Sequence, residues 1–465
     1  MISTEGPSFT TADINNDGLD DFYLGGSVHH TGSIYIQNKA ETFTRHQKDL
    51  FSQDSLSDDV DAVFFDFDND NDLDLYVVSG GSESTSSGFS LLDRLYENIG
   101  TKNRMPIFKK TDGKLPASYQ AGSCVRPADI DNDGDLDLFI GTRLIPSYYG
   151  LPSDQLLLLN DGHGNFSDVT SSFAPQFKKL GLVTDAQWFD YDDNGFLDLI
   201  VVGEWMPVTL FTNNGRNLIK MEDTPGLQKS DGWWNRIVSS DLDSDGDMDF
   251  VLGNLGQNSK FKPTPSSPIS LYVNDFDQNG SIEPIFAFQK NGTDYPMALR
   301  PDLIKQMSSL KKKFIYYKDY AGKSIGEIFD SEIIEKSTKL HFYEPNTLVL
   351  INQKESGFER RVLPFQAQFS PVYGIGVEDI NKDSIMDIVL GGNLFSTKPE
   401  VGKYDALYGL ALLGDGKGNF SPLSSQESGL KLHGQVRHIG SIRTETGKLI
   451  AFVRNNDSVK FYKVK

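Results

Sequence analysis

Seven short acidic loops in this chain carry oxygen-bearing side chains on alternate residues, and five of them have glycine at the sixth position. The loops begin at Asp13, Asp66, Asp129, Asp190, Asp241, Asp275 and Asp379. A loop that curls tightly brings its first, third, fifth and ninth side chains and its seventh carbonyl oxygen around one point. That is a ligand set for Ca²⁺, which binds about 6–8 oxygens at about 2.3–2.6 Å. A single loop of this kind is also typical of a solvated Asp/Asn/Gly turn, but seven copies in one register favour metal binding.

We therefore predict up to seven Ca²⁺ ions, bound by the first, third, fifth, seventh and ninth residues of each loop. The predicted ligands are Asp13, Asn15, Asp17, Leu19 and Asp21; Asp66, Asp68, Asp70, Asp72 and Asp74; Asp129, Asp131, Asp133, Asp135 and Asp137; Asp190, Asp192, Asn194, Phe196 and Asp198; Asp241, Asp243, Asp245, Asp247 and Asp249; Asp275, Asp277, Asn279, Ser281 and Glu283; and Asp379, Asn381, Asp383, Ile385 and Asp387.

Two loops depart from the pattern at the sixth position, where the backbone is expected to bend back with positive φ. Asn71 and Ser384 stand there in place of glycine. Asn tolerates that conformation and Ser tolerates it less well, so the Asp379 loop is the weakest metal candidate. In the Asp275 loop, Glu283 replaces the final Asp and can still coordinate.

The composition excludes several classes of protein. A net charge of −21 and a pI near 4.7 argue against a nucleic-acid partner, because such binders carry basic patches. Without metal, the clustered carboxylates should repel one another and loosen the fold. Cys124 is the one cysteine, so no disulfide forms within the chain. No apolar run of about 18 residues is present that could cross a membrane.

Weak calcium sites suit the millimolar Ca²⁺ found outside the cytosol. We therefore expect an extracellular or outer cell-surface location. The opening residues MISTEGPSF lack the basic start and apolar stretch of a signal peptide. We interpret Met1 as the start of a fragment whose export signal or lipid anchor lies upstream.

Strand patterns flank the acidic loops. In the second loop, residues 62–65 precede it and the apolar residues 73–78 follow it, which predicts a hairpin. A second hairpin often follows, marked by Asn and Gly turns, as in LLLLNDGHGNF at 156–166. Two hairpins make a four-stranded antiparallel sheet, and several such units arranged radially make a β-propeller, which protects strand edges.

We predict an all-β chain that forms one propeller domain over residues 1–465. The first hairpins at 9–24, 61–78, 125–140, 186–202, 236–252, 373–390 and 436–453 predict seven blades. Asp275 follows Asp241 by only 34 residues, so we assign it to the second hairpin of the same blade. If it opens its own blade, the count is eight. The last blade lacks a fourth strand in sequence, and we expect residues 1–7 to supply it.

Residues 299–345 have a different pattern of apolar residues, and we predict that they form a small helical insertion. Leu303, Met307, Leu310 and Phe314 fall at helical spacing. The lysines at 311–313 beside them are interpreted as a solvated helix face, with an anion or partner site as the alternative.

The loops and strand patterns resemble FG-GAP repeats, also called VCBS repeats, of the kind found in the integrin α-subunit head. The segments DRLYEN (93–98), GWWNR (232–236), GNLGQN (253–258), LKKKF (310–314) and YDALYG (404–409) resemble the large FG-GAP proteins of Bacteroidetes, which are related to the cartilage acidic protein (ASPIC/UnbV) family. The resemblance implies an exported, often lipid-anchored surface protein with Ca²⁺ in its blade loops and no established enzymatic activity. It supplies no ligand.

The first functional hypothesis is a non-catalytic module that binds a protein or glycan at the cell surface. Trp188, Trp205, Trp233, Trp234, Tyr148 and Tyr149 are candidate stacking surfaces for sugar rings, with packing between blades as the alternative. Trp205, in the GEWMP segment, is expected to be the most exposed of them. Arg143 and Glu204 follow strands near blade ends. We expect their side chains either to bind a partner or to form a structural salt bridge.

The second hypothesis is a Ca²⁺-dependent polysaccharide lyase or glycoside hydrolase. A lyase needs a base near a charge-neutralising cation, and a glycosidase needs two carboxylates about 5–9.5 Å apart. Carboxylates are abundant here, so their presence does not discriminate. The seven histidines show no metal-ligand spacing, and the single cysteine has no obvious histidine partner, so we predict no catalytic residues. A pocket holding a raised-pKa carboxylate away from the metal loops would favour the enzyme.

Overall fold

The computed structural model describes residues 5–82, 88–399 and 401–464. In this part of the chain most regular structure is β-strand, and the strands pair in antiparallel sheets of mostly four strands. The prediction of an all-β chain built from four-stranded antiparallel sheets is confirmed. Within the described ranges, every helix is too short or too polar to cross a membrane.

The first four sheets follow the order of the chain. The first contains β1 (Phe9–Ala12), β2 (Asp21–Leu24), β3 (Ser33–Gln37) and β4 (Phe43–His46). The second contains β5 (Asp58–Phe65), β6 (Asp74–Gly80), β7 (Arg94–Lys102) and β8 (Met105–Lys110). The third contains β9 (Ala121–Ala128), β10 (Asp137–Leu144), β11 (Leu156–Asn160) and β12 (Phe166–Asp168). After α1 (Thr170–Phe173), the fourth contains β13 (Leu182–Phe189), β14 (Asp198–Met206), β15 (Thr209–Asn213), β16 (Leu218–Lys220) and β17 (Gly232–Trp233), which pairs with β14.

The fifth sheet is interrupted by a sixth. The fifth begins with β18 (Arg236–Ser240) and β19 (Asp249–Gly253). The chain then forms β20 (Ile269–Asn274), β21 (Glu283–Lys290), β22 (Thr293–Pro296) and, after the helices, β23 (Thr338–Phe342), which pair with one another as the sixth sheet. It returns as β24 (Leu348–Asn352) and β25 (Phe358–Val362), and β24 pairs with β19. The assignment of Asp275 to the second hairpin of the Asp241 blade is therefore wrong. That hairpin is β24–β25, and the Asp275 loop lies in the inserted sheet.

Helices occupy only part of the predicted insertion at 299–345. They are α2 (Arg300–Gln306), α3 (Leu310–Lys313), α4 (Tyr317–Tyr320), α5 (Ile325–Ile328) and α6 (Ser331–Glu335). The periodic residues Leu303, Met307, Leu310 and Phe314 are buried in one cluster against the sixth sheet. The segment after α6 is a strand, because residues 338–342 pair with β20. Lys311–Lys313 are exposed.

The seventh and eighth sheets complete the chain. The seventh contains β26 (Val372–Glu378), β27 (Asp387–Gly392), β28 (Leu410–Gly414) and β29 (Phe420–Pro422). After α7 (Ser425–Ser428), β30 (Gln435–Thr444), β31 (Gly447–Asn455) and β32 (Lys460–Lys463) form a three-stranded sheet. Residues 5–7 belong to no strand, so they do not supply a fourth strand, and residues 1–4 lie outside the described ranges.

The first strands of seven sheets contact one another in chain order. The contacts join β1 to β5, β5 to β9, β9 to β13, β13 to β18, β18 to β26 and β26 to β30, and β30 contacts β1. Apolar residues of adjacent sheets fill the space between them: Ile200 of the fourth sheet packs in one cluster with Phe250 and Leu350 of the fifth. The core is therefore a series of layers between neighbouring sheets.

A buried ion network joins four of these first strands. Arg126 on β9 forms salt bridges with Asp61 on β5 and Asp185 on β13. The Asp185 side chain is fully buried, and its other oxygen lies 3.5 Å from Arg236 on β18. Because each charge has a partner, the network satisfies groups that would be costly to bury alone.

Candidate metal sites and a candidate binding cavity

Each predicted metal loop connects two adjacent strands and is held by its own first side chain. In the Asp129 loop, Oδ1 of Asp129 accepts a hydrogen bond from the N–H of Asp133 (3.1 Å) and Oδ2 accepts one from Gly134 (3.0 Å). The bond from the sixth N–H to the first carboxylate recurs in all seven loops. The first residue therefore fixes the curl of the loop through hydrogen bonds to its backbone.

The fifth side chain holds the peptide of the seventh residue. In every loop it accepts a hydrogen bond from the seventh N–H, as Asp133 does from Asp135 at 3.0 Å. These bonds orient the peptide unit next to the seventh carbonyl, which is one of the predicted ligands.

The sixth position has positive φ in every loop, as expected. Gly134 has a φ of 97°, and Asn71 and Ser384 adopt 68° and 70° without a glycine. The fourth position also has positive φ in all seven loops, as at Asn132 with 60°. Sequence reasoning missed this second bend, although Asn or Asp at four of these seven positions was a signal for it.

Five of the loops bring three carboxylates close enough together to hold a metal ion. Each group has one ligand atom per residue, and these atoms lie within 4.8 Å of one another. The groups are Asp66, Asp68 and Asp70; Asp129, Asp131 and Asp137; Asp190, Asp192 and Asp198; Asp241, Asp243 and Asp249; and Asp275, Asp277 and Glu283. The loops with Asn15 or Asn381 at the third position form no such carboxylate group within the described residues.

Buried oxygens without a partner mark the third position of four loops. Oδ1 of Asp68, Asp131, Asp243 and Asp277 is shielded from solvent and accepts no hydrogen bond within the described residues. A buried carboxylate oxygen without a donor is costly, and a cation bound at the loop would satisfy it. Burial raises the pKa of Asp131, and the nearby negative charge of Asp133 raises it further. The residues present therefore fit a cation.

The ninth position ties the loop to the third strand of its sheet. Oδ1 of Asp137 accepts from the N–H of Asn160 on β11 (2.9 Å), and Oδ2 accepts from Ile130 in the loop (3.1 Å). In six of the loops the ninth side chain accepts a hydrogen bond from the N–H of the loop's second residue. Asp74, Asp198, Asp249 and Asp387 are among these acceptors. Burial raises the pKa of Asp137 to about 7 and that of Asp74 to about 8. This structural role was not predicted.

Two regions of the sequence match a family model. Residues 13–77 and 190–252 match the FG-GAP-like repeat. The chain carries FG-GAP-like repeats. The first match contains the loops at Asp13 and Asp66, and the second contains those at Asp190 and Asp241. No curated protein sequence matches the chain. Among solved structures it is similar to the V. cholerae biofilm matrix protein Bap1, with 11% identity and a TM-score of 0.42 over 99% of this chain and 88% of that one.

A cavity of about 430 Å³ lies at the opposite end of the first strands from the FG-GAP-like loops. We call it the strand-start cavity, because residues at or near the start of six first strands line it. These residues are Val60, Ser123, Thr184, Arg236, Tyr373 and Arg437. The inserted sheet contributes Phe286, and α2 contributes Asp302. Each FG-GAP-like loop instead follows the end of its first strand, so the cavity and the candidate metal loops are separate sites.

Arg143 and Glu204 both line this cavity and form a salt bridge of 2.6 Å. Arg143 also pairs with Glu5, which lines the cavity too. Burial raises the pKa of Glu5, and the Arg143 guanidinium opposes that shift. Sequence reasoning missed Glu5, because nothing in its local sequence marks it and the fold alone places it beside Arg143.

The predicted exposure of Trp205 is wrong. Its side chain is 2% exposed, and its indole N–H donates to the hydroxyl of Tyr149 at 2.9 Å. The physical reason is that β14 continues through Met206 and pairs with β17, which covers the GEWMP segment. Trp234 is fully buried, Trp188 donates to the Arg126 carbonyl, and Tyr148 is 38% exposed. Trp233 lines the strand-start cavity.

Proposed function

We propose that this chain is a seven-bladed β-propeller stabilised by Ca²⁺ that acts as an extracellular or cell-surface binding module for a protein or glycan. The observation that carries the proposal is a buried oxygen that has no hydrogen-bond partner among the residues described and that recurs at the third position of four equivalent loops. Such an atom is costly in one loop, and its recurrence supports a cation at each. The proposal also takes the chain to be a relative of the large Bacteroidetes FG-GAP proteins.

The contacts among first strands support the blade count. Seven first strands follow one another from β1 to β30, and β30 contacts β1 again. This order is what a radial arrangement of seven sheets requires. The sixth sheet is inserted between two strands of the fifth, so it is proposed as an addition outside the seven blades.

The donor set supports Ca²⁺ over softer metals. The proposed ligands are carboxylate, amide and carbonyl oxygens, which suit Ca²⁺ and Mg²⁺, whereas zinc sites use mainly Cys and His. In the Asp129 loop, Asp129, Asp131 and Asp137 would hold the ion through one oxygen each. The ion would supply charge neutralisation, and the loop residues would keep two strands joined.

A melting experiment tests the metal part of the proposal. The midpoint should be higher in millimolar CaCl₂ than in a chelator, because each ion that binds only the folded state adds RT ln(1 + [L]/Kd). MgCl₂ at the same concentration is the control and should stabilise less, since Mg²⁺ dehydrates reluctantly. Equal midpoints in calcium and chelator would contradict the proposal. Binding of the calcium-loaded protein to a glycan array and to surface proteins then tests the module function.

A Ca²⁺-dependent lyase or glycoside hydrolase is the second candidate, and one observation favours it. Glu5 and Glu204 approach the same guanidinium inside a ligand-sized cavity, and the pKa of Glu5 is raised by burial. A glycosidase uses two carboxyl groups that are held close together. Cleavage of a soluble glycan that disappears in Glu5→Gln, while the melting midpoint is kept, would support the enzyme. Absence of cleavage across acidic and neutral polysaccharides would favour the binding module.

A further inference from the structure

The strand-start cavity combines an apolar wall with an excess of positive charge. Its apolar wall includes Leu255, Phe261, Phe286, Met297 and Leu394. Five cationic side chains line it, against three carboxylates. The cations are Arg143, Arg236, Lys260, Lys398 and Arg437, and the carboxylates are Glu5, Glu204 and Asp302. In a chain of net charge −21, the lining carries more cationic than anionic side chains even after Arg236 is set against Asp185, which lies 3.5 Å from it.

Three polar groups that line the cavity lack a hydrogen-bond partner among the described residues. They are the indole N–H of Trp233, the hydroxyl of Tyr404 and Nε of Arg143, and each is a hydrogen-bond donor. Trp233 is 6% exposed and Tyr404 is 7% exposed, so neither side chain has ready access to bulk water. Buried donors are normally satisfied, and three unsatisfied ones in one cavity indicate an acceptor that is brought from outside.

We propose that the strand-start cavity binds a small organic anion, with one carboxylate on an apolar or aromatic body. The net positive charge and the unpaired donors select the anionic head, and the apolar wall selects the body. The cavity of about 430 Å³ lies in the range that holds small molecules in proteins. This site goes beyond the proposed module function and uses none of the calcium ligands.

Calorimetric titration of the full chain in calcium buffer tests the inference, with 4-phenylbutyrate as the probe. The neutral analogue 4-phenylbutyramide has the same shape and should bind about tenfold more weakly, because it lacks the charge that strengthens the hydrogen bonds. Equal affinity for the acid and the amide, or no binding of either, would overturn the proposal.

Two variants locate the binding. Tyr404→Phe removes a hydroxyl that has no partner within the described residues, so it should weaken phenylbutyrate binding about threefold or more and leave the melting midpoint unchanged. Lys398→Gln removes an exposed cation at the cavity and should also weaken binding. Tyr35→Phe and Lys311→Gln, which lie outside the cavity lining, are the matched controls and should bind as the wild type does. Wild-type affinity in Tyr404→Phe would overturn the assignment.

Further titrations separate the ligand classes and the two proposals. Tighter binding of a hexuronate trisaccharide or of a tripeptide of glutamate than of phenylbutyrate would assign the cavity to a saccharide or an acidic peptide and overturn the apolar carboxylate. A melting midpoint that rises with Ca²⁺ in a chain that binds no phenylbutyrate would refute this inference alone. Phenylbutyrate binding without calcium stabilisation would refute only the calcium proposal.

Discussion

The backbone N–H of Asn160 donates a hydrogen bond of 2.9 Å to Oδ1 of Asp137, across 23 residues of sequence. Asp137 ends a candidate metal loop, and Asn160 ends the third strand of the same sheet. One carboxylate therefore serves the proposed ion and the sheet together. The third-position Asp131 in the same loop has one oxygen with no hydrogen-bond partner in the part of the chain that the structure describes. The two residues should respond differently when the metal is removed.

Asp137→Ala should destabilise the chain both in calcium and in chelator. It leaves the N–H groups of Asn160 and Ile130 without their acceptor, which costs about 2–4 kcal/mol. Asp131→Ala should lose stability in calcium only, because in chelator it removes a charge from a repelling cluster. Urea unfolding of both variants under both conditions measures this. A loss in chelator for Asp131→Ala as large as that for Asp137→Ala would show that the third residue has a structural role of its own.

The seven loops should contribute unequally to stability in calcium. Asp133→Ala changes a loop that has Gly134 and a cluster of three carboxylates, whereas Asp383→Ala changes a loop with Ser384 and no such cluster among the described residues. We expect the larger drop in melting midpoint for Asp133→Ala. Equal drops in the melting midpoint in calcium would mean that neither the glycine nor the number of carboxylates determines how much each site contributes to stability.

Stability should fall in mildly acidic solution partly through His438. Its pKa is lowered well below 6.5 by burial and then by the charges of Arg236, Arg126 and Arg437. Arg236 Nη2 lies 2.6 Å from its Nδ1. The unfolded chain takes up a proton as the pH falls below about 6.5 and the folded chain does not, so stability is present above that pH and is lost below it, by up to about 1.4 kcal/mol per pH unit.

The measurement for His438 is the slope of unfolding free energy between pH 7.5 and 5.5. His438→Gln should show a shallower slope than the wild type, whatever its stability at neutral pH. His163→Gln, at an exposed position, is the control and should keep the wild-type slope. Identical slopes in wild type and His438→Gln would contradict a neutral buried histidine.

The ion network between the first strands should be among the most sensitive places in the chain. Arg126→Ala leaves the buried carboxylates of Asp61 and Asp185 without their main cation, which costs about 3–5 kcal/mol. Lys323→Ala breaks an exposed pair with Glu327 and should leave stability nearly unchanged. Chemical unfolding in calcium compares the two. A small loss of stability for Arg126→Ala would show that water or a rearrangement compensates the unpaired carboxylates of Asp61 and Asp185.

Local features of the fold were readable from the sequence. The apolar residues and the Asn/Gly turn at 156–166 predicted a hairpin that the structure contains as β11–β12. The positive φ expected at Asn71 and Ser384 is present as well. These features depend on residues close together in the chain, so a pattern of a few residues is enough to predict them.

Features that depend on distant parts of the chain were missed. The partner of β19 is β24, and no local pattern tells β24 from a strand of the inserted sheet. Trp205 was expected to be exposed, yet the pairing of β14 with β17 buries it. The role of Asp137 depends on where β11 lies, and Glu5 reaches Arg143 only through the fold. These contacts exist only once the sheets have assembled.

The interrupted fifth sheet has two halves that are made at different times. Leu252 on β19 lies opposite Leu348 on β24, and residues 253–347 come between them in the chain. During synthesis, β18 and β19 emerge long before β24 and must wait for the whole inserted segment before their sheet is complete. Phe286 and Phe342 of that segment contact Trp205 on β14, so the fourth sheet also waits for it before this tryptophan is covered. The order of assembly is therefore set by where the insertion falls.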